Sequence, residues 1–269
     1  MTRRRVLPAR RRVVGPYPFL DASTPLGFAH RGGAAFGDEN TIAAFGRAVA
    51  AGYRYIETDT HSTIDGVAVV FHDADLRRVA GDPRSIGSMT YADLATVTQG
   101  GEPIVPRLED VMAAWPDVRF NIDVKSDAAV PATLAVIDRL AAVDRVLVAS
   151  FDDRRLAEVR ASAGPRLATS TGTRETARLW LGSRLRRRFA GFPPGAAAVQ
   201  VPLERYGLRV VDDRFVDHVH EAGLAVHVWT IDDPGMMGAL LDLGVDGIMT
   251  DEIDILADVY RNRGHWPAR

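Results

Sequence analysis

From residue 26 to the end of the chain, short runs rich in β-branched and apolar residues return at regular intervals, separated by longer segments whose apolar residues fall three and four apart. Strand-length runs alternating with helical patterns mark parallel strands joined by crossover helices. Eight such runs can be placed: LGFAH (26 to 30), YIETDTH (55 to 61), FNIDVKS (120 to 126), VLVASF (146 to 151), RLATS (166 to 170), AVQVP (198 to 202), AVHVWT (225 to 230) and GIMTDE (247 to 252). The helical pattern is carried by Leu134, Ile137 and Ala141 in one segment and by Phe215, Val219 and Ala222 in another. Gly52, Gly223 and Gly244 follow helical stretches and precede strands, as C-terminal helix signals do. The chain is therefore expected to be α/β, a (β/α)8 TIM barrel, and 269 residues suit one such domain.

One interval breaks the rhythm. Between the second and third runs lie VAVVFHD, the turn-rich GDPRSIGS and YADLATV, read as a small insertion at about 67 to 106 that is too short to fold independently. It ends where PRLEDVMAAW starts a helix with Glu109 and Asp110 in its first turn, a favourable end of the helix dipole for acidic charge. Residues 1 to 25 form a basic N-terminal extension, and 26 to 269 a single domain.

Composition removes several function classes. The chain has no cysteine, so a disulfide framework and thiolate metal ligands are excluded, and any metal must take oxygen or imidazole. A formal net charge of -2 demands no nucleic-acid partner. Arginines crowd two places, Arg3 to Arg12 and Arg184 to Arg188. Arginine and proline interrupt every apolar run near the N-terminus, so no signal peptide is expected and the location is read as cytoplasmic. Nothing approaches a membrane span, leaving peripheral membrane contact as the lipid-facing option. The oligomeric state is not set by the sequence.

In such barrels the reacting groups sit where strands end. The first run ends in His30-Arg31, the second carries Glu57 and Asp59, the third Asp123 and Lys125, the sixth Gln200, the seventh Trp229 and the eighth Asp251. Side chains two apart on a strand share a face, so Glu57 and Asp59 point one way, as do Asp123 and Lys125. Three inward carboxylates at one mouth repel one another unless a cation sits among them, and oxygen donors suit Mg2+ or Ca2+. His30 and His72 are the acid-base candidates, because imidazole titrates near neutral pH. Arg31 and Lys125 offer a phosphate a planar fork and a point charge. Gln200 joins the substrate-binding candidates, and Trp229 serves either as core or as a flat wall for the alcohol portion.

Taken in order, HRGG (30 to 33), ENT (39 to 41), ETD (57 to 59), FHD (71 to 73), NIDVK (121 to 125), VWT (228 to 230) and GVDGIMTD (244 to 251) resemble the glycerophosphodiester phosphodiesterase family. The resemblance implies acid-base roles for His30 and His72, a divalent-cation site at Glu57, Asp59 and Asp123, and phosphate contacts from Arg31 and Lys125. Two positions depart from the family pattern: aspartate stands at 123 where glutamate is usual, and Asp38 stands where proline is usual. The shorter Asp123 leaves Mg2+ and Ca2+ both open.

The expected reaction is metal-dependent hydrolysis of a small glycerophosphodiester to glycerol phosphate and an alcohol, with His72 taken as the acid. Attack by water and attack by a substrate hydroxyl through a cyclic phosphate both fit. A lysophospholipase D-like hydrolase, motivated by the arginine clusters, is the first rival, and a catalytically silent phosphate-binding barrel the second. A two-carboxylate glycosidase explains neither Arg31 and Lys125 nor the paired histidines.

Overall fold

The computed structural model describes residues 16–99, 101–187 and 191–266. The arginines from Arg3 to Arg12, and Arg188, lie outside the described residues.

Eight parallel strands close into a barrel: β1 (Leu26–His30), β2 (Tyr55–Ser62), β3 (Arg119–Val124), β4 (Val146–Ala149), β5 (Ala168–Ser170), β6 (Ala196–Pro202), β7 (Ala225–Trp229) and β8 (Gly247–Thr250). Each pairs with its neighbours in sequence, and β1 closes the ring on both β8 and β2. Outside them run α1 (Ile42–Ala50), α2 (Leu108–Ala114), α3 (Ala129–Arg139), α4 (Asp153–Ala163), α5 (Thr173–Leu185), α6 (Asp213–Glu221), α7 (Pro234–Leu243) and α8 (Ile253–Asn262). The fold is the TIM barrel that the strand rhythm predicts. Several predicted runs extend past the observed ladders, at 126, 151 and 252, because the chain leaves the sheet there to build the mouth.

Helix starts follow side-chain chemistry. Thr41, Asp212 and Asp233 cap α1, α6 and α7 by accepting from Ala44, Phe215 and Met236 amides, which satisfies donors that the helix cannot. Gly244 ends α7 with φ of 90°, a backbone conformation that side chains disfavour. Asp38, the residue in place of proline, pairs with Arg47 on α1 at 2.6 Å.

Alternation sorts the strand side chains into two cores. Ile56, Ile122, Val148, Val226 and Ile248 face the helices, while Phe28, Tyr55, Leu147, Ala198 and Met249 fill the barrel. Gly247 makes room inside, since a Cβ there would lie 2.8 Å from Phe28 and 2.9 Å from His227. Phe19 and Leu20, within the expected N-terminal extension, belong to this inner cluster and are buried. The Tyr55 hydroxyl donates to the Phe19 carbonyl at 2.9 Å and so fixes that turn against the barrel.

The interval after β2 opens with a strand at Ala68–Val70 that runs antiparallel to the end of β2, pairing Thr60 with Val70. It has its own apolar cluster, including Val69, Phe71, Leu76, Ile86 and Leu94. Each such side chain contributes about 1.5–3 kcal/mol on full burial.

Candidate active site

Register decides what meets at the mouth. His30 pairs with Glu57 across β1 and β2, and Asp59 pairs with Asp123 across β2 and β3. The antiparallel strand of the insertion carries His72 back alongside, because the Phe71 amide donates to the Asp59 carbonyl at 3.1 Å. The nine residues given site roles in the sequence (His30, Arg31, Glu57, Asp59, His72, Asp123, Lys125, Gln200 and Trp229) line one cavity of about 530 Å³.

The loop after β1 is shaped for this. Gly32 and Gly33 have φ of 83° and 93°, and a Cβ on Gly33 would lie 2.7 Å from Ile253. The turn aims the Arg31 amide at Glu57 Oε2, 3.2 Å away, and brings Arg31 Nε within 3.3 Å of Asp59. Asn40, also with positive φ, is buried and donates to Asp59 at 2.9 Å while accepting from Thr58.

Each histidine has its own carboxylate. His30 Nδ1 donates to Asp251 at 2.7 Å and His72 Nδ1 to Asp73 at 2.6 Å. With Nδ1 occupied, Nε2 is the nitrogen left to exchange a proton. Burial works against charge on His30, but Glu57 and the hydrogen bond to Asp251 outweigh it and raise its pKa. Asp73 is held by Arg78 at 2.6 Å, Arg78 also binds Glu39 at 2.6 Å, and Glu39 accepts from Arg31 at 3.1 Å. This chain of charges ties the insertion to the loop after β1.

The carboxylates are unequal. Burial, then the charge of Asp59, pushes Glu57 up to about 7. Burial raises Asp123 as well. Asp59 is as deeply buried, yet Lys125 and Arg31 outweigh desolvation and lower it. The Lys125 ammonium lies between Asp59 and Asp123, at 2.8 and 2.6 Å, and their charges raise its pKa despite burial. Lys125 thus neutralises the carboxylates in this arrangement and lines the same cavity.

Glu57 tests the fit of a metal. Burial first and the Asp59 charge second raise Glu57 to about 7, so its carboxylate stands poorly solvated beside a like charge, and an all-oxygen donor set of this kind suits a hard divalent cation. Among the described residues no three His, Asp or Glu side chains stand close enough together to hold an ion as they are placed, since the Lys125 ammonium occupies the space between two of them. The residues fit the ion in charge and chemistry.

Gln200 donates to Asn121 at 3.0 Å on the cavity floor. Trp229 is half-buried and meets Phe151 edge-on, with ring centres 5.8 Å apart, so it is wall and core together. Sequence reasoning missed Asp73, Asn40, Glu39 and Arg78, and assigned no role to Asp251. Asp73 and Asp251 had a signal, each adjoining a strand end in a quoted motif.

A sequence model of the glycerophosphoryl diester phosphodiesterase family matches residues 30–255. A Mycobacterium tuberculosis protein named probable glycerophosphodiester phosphodiesterase 2 is 38% identical over 260 residues, covering 92% of this chain and 95% of that protein. Lysophospholipase D GDPD1 of Rattus norvegicus is 36% identical over 110 residues, 36% of this chain and 35% of its own. Among solved structures, a glycerophosphodiester phosphodiesterase from Agrobacterium tumefaciens shares the fold at a TM-score of 0.71 and 24% identity, covering 88% of this chain and 99% of that one.

Proposed function

The chain belongs to the glycerophosphoryl diester phosphodiesterase family, and we propose that it hydrolyses small glycerophosphodiesters to glycerol phosphate and an alcohol by acid-base chemistry of His30 and His72. The observation that carries this reading is the placement of two imidazoles, each held at Nδ1 by its own carboxylate, around one buried carboxylate cluster.

Glu57, Asp59 and Asp123 would hold one divalent cation, Mg2+ or Ca2+, which when bound supplies charge stabilisation to phosphoryl oxygens. The chain's own residues do the rest. Arg31 presents donors to the diester from the turn after β1 and Lys125 adds a point charge. One imidazole takes the proton of the attacking hydroxyl at Nε2. The other, read as His72, returns a proton to the leaving alcohol oxygen as the P–O bond breaks. Asp251 and Asp73 hold the rings in the tautomer that leaves Nε2 available. Gln200 and Trp229 bound the substrate on the far side.

The domain is proposed as a single barrel that includes its insertion, since His72 comes from that segment. Among the described residues no helix is long and apolar enough to cross a membrane.

The test is alcohol release from glycerophosphocholine and glycerophosphoethanolamine by the purified protein with EDTA, Mg2+ or Ca2+, beside His30→Ala and Asp123→Ala. Cation-dependent release that both substitutions abolish is expected. Full activity in EDTA would remove the metal from the reading, and undiminished activity in His30→Ala would remove the histidine.

A further inference from the structure

Charge is distributed unevenly around the mouth. All but one of the acidic, basic and imidazole side chains lining the cavity stand on or just after β1, β2 and β3, or in the insertion. The opposite side comes mainly from the loops after β4 and β5, from α5 and from a two-stranded hairpin after β6, Glu204–Arg205 with Leu208–Arg209. Among the described residues the one charged group lining that side is the Arg205 guanidinium. Serine and threonine hydroxyls line it too, but they are engaged with the protein. Thr173 donates to the Phe151 carbonyl at 2.7 Å, Ser150 donates to the Val124 carbonyl at 3.2 Å, and Thr171 and Thr176 share a bond of 2.8 Å. Ser170 accepts from the Ser150 amide at 3.4 Å.

The hairpin fixes where Arg205 stands. Its two-residue loop is Tyr206-Gly207, with φ of 52° and 73°, and a loop with both central residues left-handed closes a tight hairpin. Glycine takes that conformation freely, whereas tyrosine takes it at a cost. The strained residue lines the cavity at 89% exposure, and the Arg205 guanidinium lies 5.3 Å from its ring centre. No carboxylate among the described residues pairs with Arg205. Glu204, one residue away and so on the other face of the strand, does not line the cavity.

A guanidinium without a counter-charge in a binding cavity is a fork for a carboxylate or a phosphate. The reacting phosphate already has Arg31 and Lys125 on the other side. A head-group ammonium placed beside Arg205 would meet like charge, and the Tyr206 ring that could receive it is taken by Arg205. We propose that Arg205 is a specificity-determining residue: it binds an oxyanion, carboxylate or phosphate, on the head-group alcohol, so that glycerophosphodiesters with an acidic head group are favoured over those with a cationic one. This rests on the reading that the diester sits at His30 and His72, with its alcohol portion along Trp229 and Phe151, whose rings meet edge-on.

Two matched substrate pairs isolate the oxyanion. Glycerophosphoserine is glycerophosphoethanolamine with a carboxylate added, and the second pair is glycerophosphoglycerol without and with a phosphate on its distal hydroxyl. Steady-state alcohol release is measured with Mg2+ or Ca2+ present. In wild type the added oxyanion should raise kcat/KM about threefold to tenfold, the range of a near-surface ion pair strengthened by two-point binding. Arg205→Gln should bring the ratio to about one, Arg205→Glu should invert it, and Arg205→Lys should keep part of it. Glu204→Gln, which alters charge outside the cavity, should leave it as in wild type. The gain should shrink at high ionic strength. A gain confined to one pair supports the proposal and names carboxylate or phosphate as the group bound. Calorimetric binding of the four diesters to His30→Ala gives Arg205 a readout apart from turnover. Turnover with no gain in kcat/KM or affinity within either pair overturns the proposal and leaves the hydrolase standing. Tighter binding of the acidic members that Arg205→Gln abolishes, without turnover of any substrate, supports the proposal and overturns the hydrolase. An equal loss on all four substrates in Arg205→Gln makes Arg205 a steering charge for the diester phosphate and refutes its head-group role.

Discussion

Replacing Glu57 by glutamine removes the buried carboxylate whose ionisation is most opposed by its surroundings. The folded chain holds this carboxyl near 7, whereas 4.5 is its ordinary value. Each pH unit of such a difference corresponds to about 1.4 kcal/mol. Below the lower value both states are protonated, and Glu57 costs nothing. As pH rises towards 7 the unfolded state ionises first, so stability falls, and above 7 the full cost of about 3 kcal/mol is present. Glutamine keeps an oxygen for the Arg31 amide, which Glu57 Oε2 accepts at 3.2 Å, but carries no charge. The assay is urea unfolding of both proteins in EDTA at pH 5 and pH 8. Titrating groups outside the cluster cancel in the difference, while His30 and Asp59 shift along with Glu57, so the Glu57 contribution alone makes Glu57→Gln gain about 2–3 kcal/mol on wild type between the two pH values. Added Mg2+ or Ca2+ at about a hundred times its dissociation constant should return about 2.7 kcal/mol to wild type and less to the variant. If the two proteins change in parallel from pH 5 to pH 8, burial and Asp59 do not hold the Glu57 carboxyl above its ordinary value, and Glu57 gives a cation no poorly solvated carboxylate to bind.

Other substitutions probe the surroundings. Asp73→Asn and Asp251→Asn each remove a charged acceptor from one imidazole and should lower kcat about 10- to 100-fold with KM little changed, measured by steady-state alcohol release; a change confined to KM would mean that neither positions a ring. Gly33→Ala forces a Cβ to within 2.7 Å of Ile253 at a φ of 93° and should cost about 1–3 kcal/mol by denaturant unfolding. Arg160→Ala leaves the largely buried Glu175 without the guanidinium that binds it at 2.7 Å, and also strips the Ser170 carbonyl of a donor. A loss of about 3–5 kcal/mol is expected by the same method.

The barrel was legible because eight strands and their helices carry their periods locally, and the glycines at 52, 223 and 244 punctuate them. The inward set was legible for the same reason, since alternation alone puts Glu57 with Asp59 and Asp123 with Lys125 on one face. Pairing between strands was not. The position of Lys125 between Asp59 and Asp123 depends on the β2–β3 register, which no local pattern states. Nor could the sequence show that Arg78 bridges Asp73 and Glu39, residues 39 positions apart at the far pair. The far side of the mouth was hidden because Phe151, Trp180 and Leu208, which line the cavity, come from a loop, a helix and a hairpin with no shared period. Phe19 and Leu20 looked like part of a basic tail until the barrel gave them an interior to fill.

The two histidines rest on different supports. His30 ends a barrel strand, while His72 follows a strand whose neighbours form the small cluster around Leu76 and Ile86. Regions with few buried contacts open more readily than a large core, and they open as units. Brief detachment of this segment would remove one imidazole and its Asp73 while the barrel stayed intact. Separate opening of that segment predicts that turnover should fade at temperatures where circular dichroism still reports a folded barrel, and that amides of the insertion should exchange with deuterium ahead of those in β1 to β8. Arg78, half exposed, pairs with Glu39 across that seam, beside the strand pairing with β2, so Arg78→Ala should speed exchange in the insertion modestly while leaving that of β1 to β8 unchanged.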